Sequence, residues 1–171
     1  MAKTFRASFT LRASNWIVGR LLRAGVKIGP SRFPFVLLTV RGRKSSLPRT
    51  TPVVAAEYNG KRYLIGTFGN VNWVRNLRTA GEAQLSCGRR VEQISVIELP
   101  PAEAAPLLKQ LISEPYSARF SRAYFEVTPD ASLEAFEREA PRHPVFLVQP
   151  GTERAQQRAR ENLASGSLQA Q

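Results

Sequence analysis

The chain has 171 residues, 43% hydrophobic and 22% charged, the composition of one ordinary globular domain long enough to bury a core. Its single cysteine, Cys87, excludes an internal disulfide and a cysteine-built zinc site; with the lone His143 it argues against any transition-metal centre of N and S ligands, so no metal is expected. The net charge of +12 lies wholly in the first 62 residues, where 13 Lys or Arg face the one acid Glu57, and from Tyr63 onward basic and acidic residues balance.

The start, MAKTFRASFTLRASNW, lacks the continuous apolar core of a signal peptide, and no apolar run reaches the ~18 residues that span a bilayer. With one cysteine, a reducing, cytoplasmic setting is expected. Asn15 to Ile28 reads as a helix: Ile17, Val18, Leu21, Leu22 and Ile28 recur near helical spacing while Arg20, Arg23 and Lys27 gather elsewhere. Ser14 or Asn15 can cap it, Gly29-Pro30 stops it, and Trp16 is assigned to the core. This helix either packs on the core with a solvated basic side, closes over a ligand cleft, or makes peripheral contact with an anionic membrane.

Strands follow at Phe35–Val40, Thr50–Tyr58 and Arg62–Gly66, the last two joined by the hairpin signal Asn59-Gly60. Pro52 falls near a strand start, where a missing N–H is tolerated. Asn72 is expected to cap a short helix, Trp73–Thr79, that Gly81 ends. A hairpin about Gly88 joins Ala83–Ser86 to Val91–Glu98. Pro100-Pro101 opens a helix carrying Leu107, Leu108, Leu111 and Ile112. An irregular aromatic stretch (Tyr116, Phe120, Tyr124, Phe125) leads to a helix from about Asp130 to Glu139, and Pro144–Val148 closes the set as a strand. The fold class is α+β: about six mostly antiparallel strands in a small closed or half-closed barrel, with an N-terminal helix and inserted helices. Residues 1–29 form the basic helix region, 30–150 the barrel domain, and 151–171 a polar tail, frayed or disordered.

Hydrolytic machinery is missing. There is no Gly-x-Ser-x-Gly elbow, Walker loop or Gly-x-Gly-x-x-Gly, and His143, between Arg142 and Pro144, reads as a structural histidine. The acids fall on predicted helices at solvated positions, so a reaction here would be carried by a bound cofactor.

The charge converges on Arg41-Gly42-Arg43-Lys44-Ser45-Ser46-Leu47-Pro48-Arg49. Gly42 lets the backbone turn after a strand. Arg43 and Arg49 offer planar forks for phosphate or carboxylate, and Lys44 adds a compact charge. Ser45 and Ser46 can donate to the same anion, and successive N–H groups in such a turn form an anion-binding nest. By spacing alone, a solvated basic hairpin loop fits equally well.

Two stretches in order go further: G-R-K-S-x-x-x-R-x-x-P from Gly42 to Pro52, and W-x-x-N-L-R from Trp73 to Arg78. Together they resemble the deazaflavin-dependent nitroreductase family, the split β-barrel oxidoreductases that use coenzyme F(420), over roughly Asn15 to Gln149. The resemblance implies that Arg43, Lys44, Ser45, Ser46 and Arg49 hold the phosphate and the start of the acidic tail of the coenzyme. Thr51 and Pro52 would shape the adjoining wall, and Gly69, Asn72, Trp73 and Asn76 would lie beside the deazaflavin ring. Many relatives carry glycine at the Ser46 position, and their lysine falls at the Phe68 position, so that here either one phosphate contact is lost or Arg41 replaces it. Tyr116 and Tyr124 are the candidate contacts to the electron acceptor, with a half-buried aromatic rim as their other reading.

The reading is therefore a deazaflavin-dependent reductase that passes hydride to a quinone, nitroaromatic or activated double bond, as a monomer or homodimer. The alternatives are a split barrel using FMN or carrying another ligand, and a basic nucleic-acid-binding barrel. The last is disfavoured because the aromatics lie mostly outside the basic third, so no strand alternates basic and stacking residues.

Overall fold

The computed structural model describes residues 9–29 and 31–151, with side chains from Trp16 onward. The tail after Gly151 and the role of Pro30 as a helix stop lie outside the described residues. In chain order the elements are α1 (Phe9–Arg23), β1 (Phe35–Arg41), β2 (Pro48–Tyr58), β3 (Lys61–Ile65), α2 (Asn72–Ala80), β4 (Glu82–Cys87), β5 (Arg90–Glu98), α3 (Pro101–Ser113), α4 (Pro115–Ser121), α5 (Leu133–Glu139) and β6 (Val145–Pro150).

The six strands close into a barrel in the order β1-β2-β3-β6-β5-β4, every pair antiparallel. Closure comes from β4 returning to β1, with Leu38 opposite Leu85. β3 pairs with β2 only from Ala55 to Tyr58, so Pro48 and Pro52 lie in the half of β2 with β1 alone beside it, where proline removes no needed ladder bond.

Side chains on successive residues point to opposite faces, and both faces are covered. Inside, Leu38, Val40, Ala55, Leu64, Leu85, Ile94, Phe146 and Val148 form one cluster, joined by Val74 and Leu77 of α2. Outside, Ala56, Tyr63 and Val145 pack under Leu107, Leu108, Leu111 and Ile112 of α3 and Phe136 of α5. Burying each such Leu, Ile or Phe contributes about 1.5–3 kcal/mol. The helix α2 is thus part of the barrel interior, which fixes whatever α2 carries.

The first helix departs from expectation. Ser14 and Asn15 lie within it rather than capping it, and it ends at Arg23, before Gly29. Gly25 stops it at φ 86°: the Val26 N–H donates to the Leu21 carbonyl at 3.0 Å and the Gly25 N–H to Leu22 at 3.1 Å, a Schellman termination that needs the left-handed residue. Leu22 is fully buried, whereas Ile17 and Leu21 are exposed. Trp16 is not core: it is 63% exposed, with the Arg20 guanidinium 5.2 Å over its ring. The helix end is seated on the β4–β5 turn, where the Gly88 N–H donates to the Leu22 carbonyl at 2.7 Å. A Cβ on Gly88 would meet the Gly25 Cα at 2.8 Å, so the two backbones touch with no side chain between them.

Two other boundaries shift. The aromatic stretch is helical, α4 followed by a 3-10 turn at Arg122–Tyr124, because Glu114 caps it: its carboxylate accepts the Ser117 N–H at 2.8 Å. Helix α5 starts at Leu133, capped by the Ser132 hydroxyl, not at Asp130.

Candidate functional site

The turn between β1 and β2 is closed by two backbone bonds, Gly42 N–H to the Leu47 carbonyl at 2.9 Å and Ser46 N–H to the Gly42 carbonyl at 2.8 Å. Gly42 is buried, and a Cβ there would meet the Ser45 Oγ at 3.0 Å and the Leu47 carbonyl at 3.2 Å. Ser46 has φ 57°, the left-handed conformation that glycine adopts without cost. The other turn residues, Arg43 to Leu47, are exposed, as are Arg41 and Arg49 at its stems.

Arg43 leaves the turn and runs to α2. Its Nη1–H donates to the Asn76 Oδ1 at 2.9 Å and makes a long contact with the Asn72 Oδ1 at 3.5 Å, and its backbone N–H donates to the same Asn76 oxygen at 3.3 Å. Asn76 is 5% exposed, held by a helix whose next residue, Leu77, is wholly buried. The two stretches singled out in the sequence therefore meet through these residues. Asn72 is the first residue of α2 rather than its cap; Val71 stands at the cap position and no side chain bonds the helix start. Trp73, half-buried, packs tilted against Phe146 of β6 with ring centroids 6.2 Å apart. Thr51 and Pro52 are half-buried on β2, opposite Leu38 and Leu37.

The charges of the turn are unneutralised. Among the described residues no carboxylate lies in ion-pair range of Arg41, Arg43, Lys44 or Arg49. Three arginines elsewhere are matched: Arg62 with Glu92 at 2.5 Å, Arg78 with Glu98 at 2.6 Å and Arg142 with Glu126 at 2.5 Å. Each of these pairs holds its guanidinium charged by the hydrogen bond to the acid. An exposed cluster of like charges repels itself and is relieved by a bound anion.

The loop from Gly66 to Asn70 runs from β3 to α2. Gly69 has φ 78°, and a Cβ on it would meet the Arg142 carbonyl at 3.2 Å. Asn70 accepts from the Arg78 Nη1 at 2.5 Å, so the last residue of the W-x-x-N-L-R stretch ties the loop to α2 and, through Glu98, to β5. Phe68 meets Tyr124 edge-on at 4.7 Å, which brings that tyrosine to the loop. Tyr116 instead has Phe120 of its own helix as ring neighbour, at 5.9 Å.

One acid is not a solvated helix residue. Glu139 is buried and faces the only histidine: its Oε1 lies 3.3 Å from the His143 Nε2 and accepts the Glu126 N–H at 3.1 Å. The His143 Nδ1 bonds the Thr67 carbonyl at 2.9 Å, and the ring stacks on Phe125 at 3.8 Å. The spacing of four between an acid and the lone histidine was the signal available in the sequence. Among the described residues no group of three or more acids, His or Cys could hold a metal.

The profile of the F(420)H(2)-dependent quinone reductase family matches residues 11–124. The chain belongs to that family. It is an oxidoreductase of the deazaflavin-dependent kind, built on the barrel that the resemblance implied. The structure is similar to that of an F(420)-H(2) dependent reductase (FDR-A), at 21% identity and TM-score 0.46 over 67% of this chain and 93% of that one. It is similar to a chain described as a domain-swapped dimer, at 20% identity and TM-score 0.48 over 83% of this chain and 100% of the other. It is also similar to a NimC/NimA family protein from Clostridium acetobutylicum, at 14% identity and TM-score 0.41 over 77% and 76%. No curated protein matches the chain. Family membership rests on the profile, not on these structural likenesses. Among the described residues no helix is long and apolar enough to cross a membrane.

Proposed function

We propose that the β1–β2 turn is the anion clamp of this reductase, and that the Gly66–Asn70 loop and the start of α2 form the wall against which the coenzyme ring lies. When bound, the reduced deazaflavin supplies a hydride to an electron-poor small-molecule acceptor, a quinone, nitroaromatic or activated double bond. Arg43, Lys44 and Arg49, with the Ser45 and Ser46 hydroxyls, would take the phosphate and first carboxylates of the coenzyme's acidic tail. The donor set suits that group: forks and a point charge without acid partners among the described residues, on a turn that packs closely around Gly42. Thr51 and Pro52 would border the handle, with Arg41 a further cation at the strand end.

The observation that carries this reading is the bond from Arg43 to Asn76, because it links the charged turn to the helix that presents Asn72 and Trp73. A coenzyme gripped by the turn is thereby referenced to Gly69, Asn72, Trp73 and Asn76. Tyr124, whose ring meets Phe68 of the loop, would be the group to donate an O–H to an acceptor oxygen as negative charge grows there. Tyr116 is the second candidate contact, more remote from the loop.

The test is a titration of the purified protein with the oxidised coenzyme, following ring absorbance and the fluorescence of the two tryptophans. Saturation at micromolar coenzyme, weakening as salt is raised, is expected. A flat response rejects the reading, and protein that emerges yellow from expression points to FMN instead.

A further inference from the structure

The segment Arg142-His143-Pro144 lies against the loop from Gly66 to Gly69 at backbone distance. The Gly66 N–H donates to the Pro144 carbonyl at 2.7 Å, and a Cβ on Gly66 would strike Pro144 at 3.2 Å and Val74 at 3.1 Å. At the centre of this contact His143 is 3% exposed. A carbonyl can only accept, so the bond to Thr67 requires the proton on Nδ1. Nε2 faces the Glu139 Oε1 in a long contact of 3.3 Å. Glu139 is occupied by the Glu126 N–H and lies 3.6 Å from the Arg142 Nη1.

The same imidazole stacks on Phe125, whose chain neighbour Tyr124 meets Phe68. One ring therefore touches both sides of the site: it holds the loop by the Thr67 carbonyl and the tyrosine segment by Phe125. We infer that the buried His143–Glu139 pair is a positioning device, fixing the Gly66–Asn70 loop in register with Tyr124 so that donor and acceptor meet at reacting distance. This rests on the reading of that loop as the ring-side wall. His143 is a positioning residue, not a catalytic one.

Because the chain has one histidine, the tautomer is directly readable by imidazole ¹⁵N NMR on the full-length protein at neutral pH. A protonated Nδ1 is expected; a bare Nδ1 overturns the inference. H143F keeps the stack on Phe125 and removes the donor. It should shift the backbone resonances of Thr67, Phe68 and Gly69, leave coenzyme affinity within about threefold, and lower kcat about ten- to hundredfold, the cost of small misplacement at a reacting centre. H143N, whose amide nitrogen sits near the place of Nδ1, should restore kcat, whereas H143Q should not. Should H143F fail to fold, the Asn–Gln contrast carries the test. Equal kcat in H143N and H143Q, or unmoved loop resonances in a variant that lacks the donor, overturns the inference. If the wild type itself binds no coenzyme, the clamp reading fails, and the tautomer and the loop resonances still decide whether His143 holds the loop.

Discussion

The Arg43 Nη1 and the Asn76 Oδ1 lie 2.9 Å apart across 33 residues of sequence, the point at which a surface turn is fastened to a helix of the barrel interior. Asn76 accepts twice, from the guanidinium and from the Arg43 N–H. Asn76→Ala removes both acceptances and leaves a gap beneath the turn. The expected costs are about 1–3 kcal/mol of stability, seen in denaturant unfolding, and a coenzyme affinity lower by about tenfold. Affinity equal to wild type would mean that the turn needs no anchor.

Arg49 stands on the exposed stem of β2 with no acid in ion-pair range among the described residues. A charge-assisted contact of about 1.5–3 kcal/mol to phosphate or carboxylate predicts a ten- to hundredfold weaker coenzyme complex for Arg49→Ala, at an unchanged Tm. The control is Arg62→Ala, which breaks a pair with Glu92 and should leave the dissociation constant where it was. An unaffected Arg49→Ala complex places the anion site elsewhere.

Ser46 holds a left-handed φ of 57° in a turn closed by its own N–H. Relief of the Cβ strain outweighs the extra freedom that glycine gains on unfolding, so Ser46→Gly should raise stability by about 0.5–1 kcal/mol. Coenzyme affinity should fall by only about two- to tenfold, the loss of one hydroxyl contact, since the turn keeps its cations. Thermal melts and the titration above measure both.

Burial holds the His143 imidazole below its ordinary value of 6.5, and the opposing pull of Glu139 and of the Thr67 and Gly66 carbonyls does not overcome it. The other charges beside Glu139 are Arg142 and Glu126, paired with each other. The unfolded chain therefore takes up the histidine proton at higher pH than the folded one. Stability that is complete above 6.5 is lost as pH falls towards the depressed folded value. Wild-type Tm should decline between about pH 6.5 and 5, above the range where carboxylates titrate, and H143F should flatten that decline. A wild-type Tm that is level across this window contradicts a neutral buried ring.

Local signals made most of the barrel legible. Asn59-Gly60, with φ 49° and 71°, makes the β2–β3 turn that its dipeptide announces, and Gly81 ends α2 at φ 66°. The joining of Arg43 to Asn76 could be suspected only because two stretches appear together; no periodicity encodes a contact between a turn and a helix. Trp16 was misplaced because helical spacing identifies an apolar stripe but not which part of it finds a partner. Gly19 and Leu22 face the barrel, whereas Trp16, Ile17 and Leu21 are exposed. Asn72 is a good cap by residue type, yet it stands one position inside the helix, near Arg43. The Glu139–His143 pair escaped for a similar reason: an acid late in a polar helix reads as solvated until the strand beyond it folds the imidazole back over it.

In β3 and β6, adjacent residues belong to different cores: Tyr63 and Val145 under the helices, Leu64 and Phe146 within the barrel. A shift of β6 by a single step would turn both layers inside out, sending Phe146 towards α3 and leaving the Trp73 indole facing a smaller neighbour. The geometry of the proposed ring-side wall is for that reason inherited from strand alignment laid down far from any coenzyme. Changes that loosen the β3–β6 seam should first be felt as blurred substrate placement, before the protein melts.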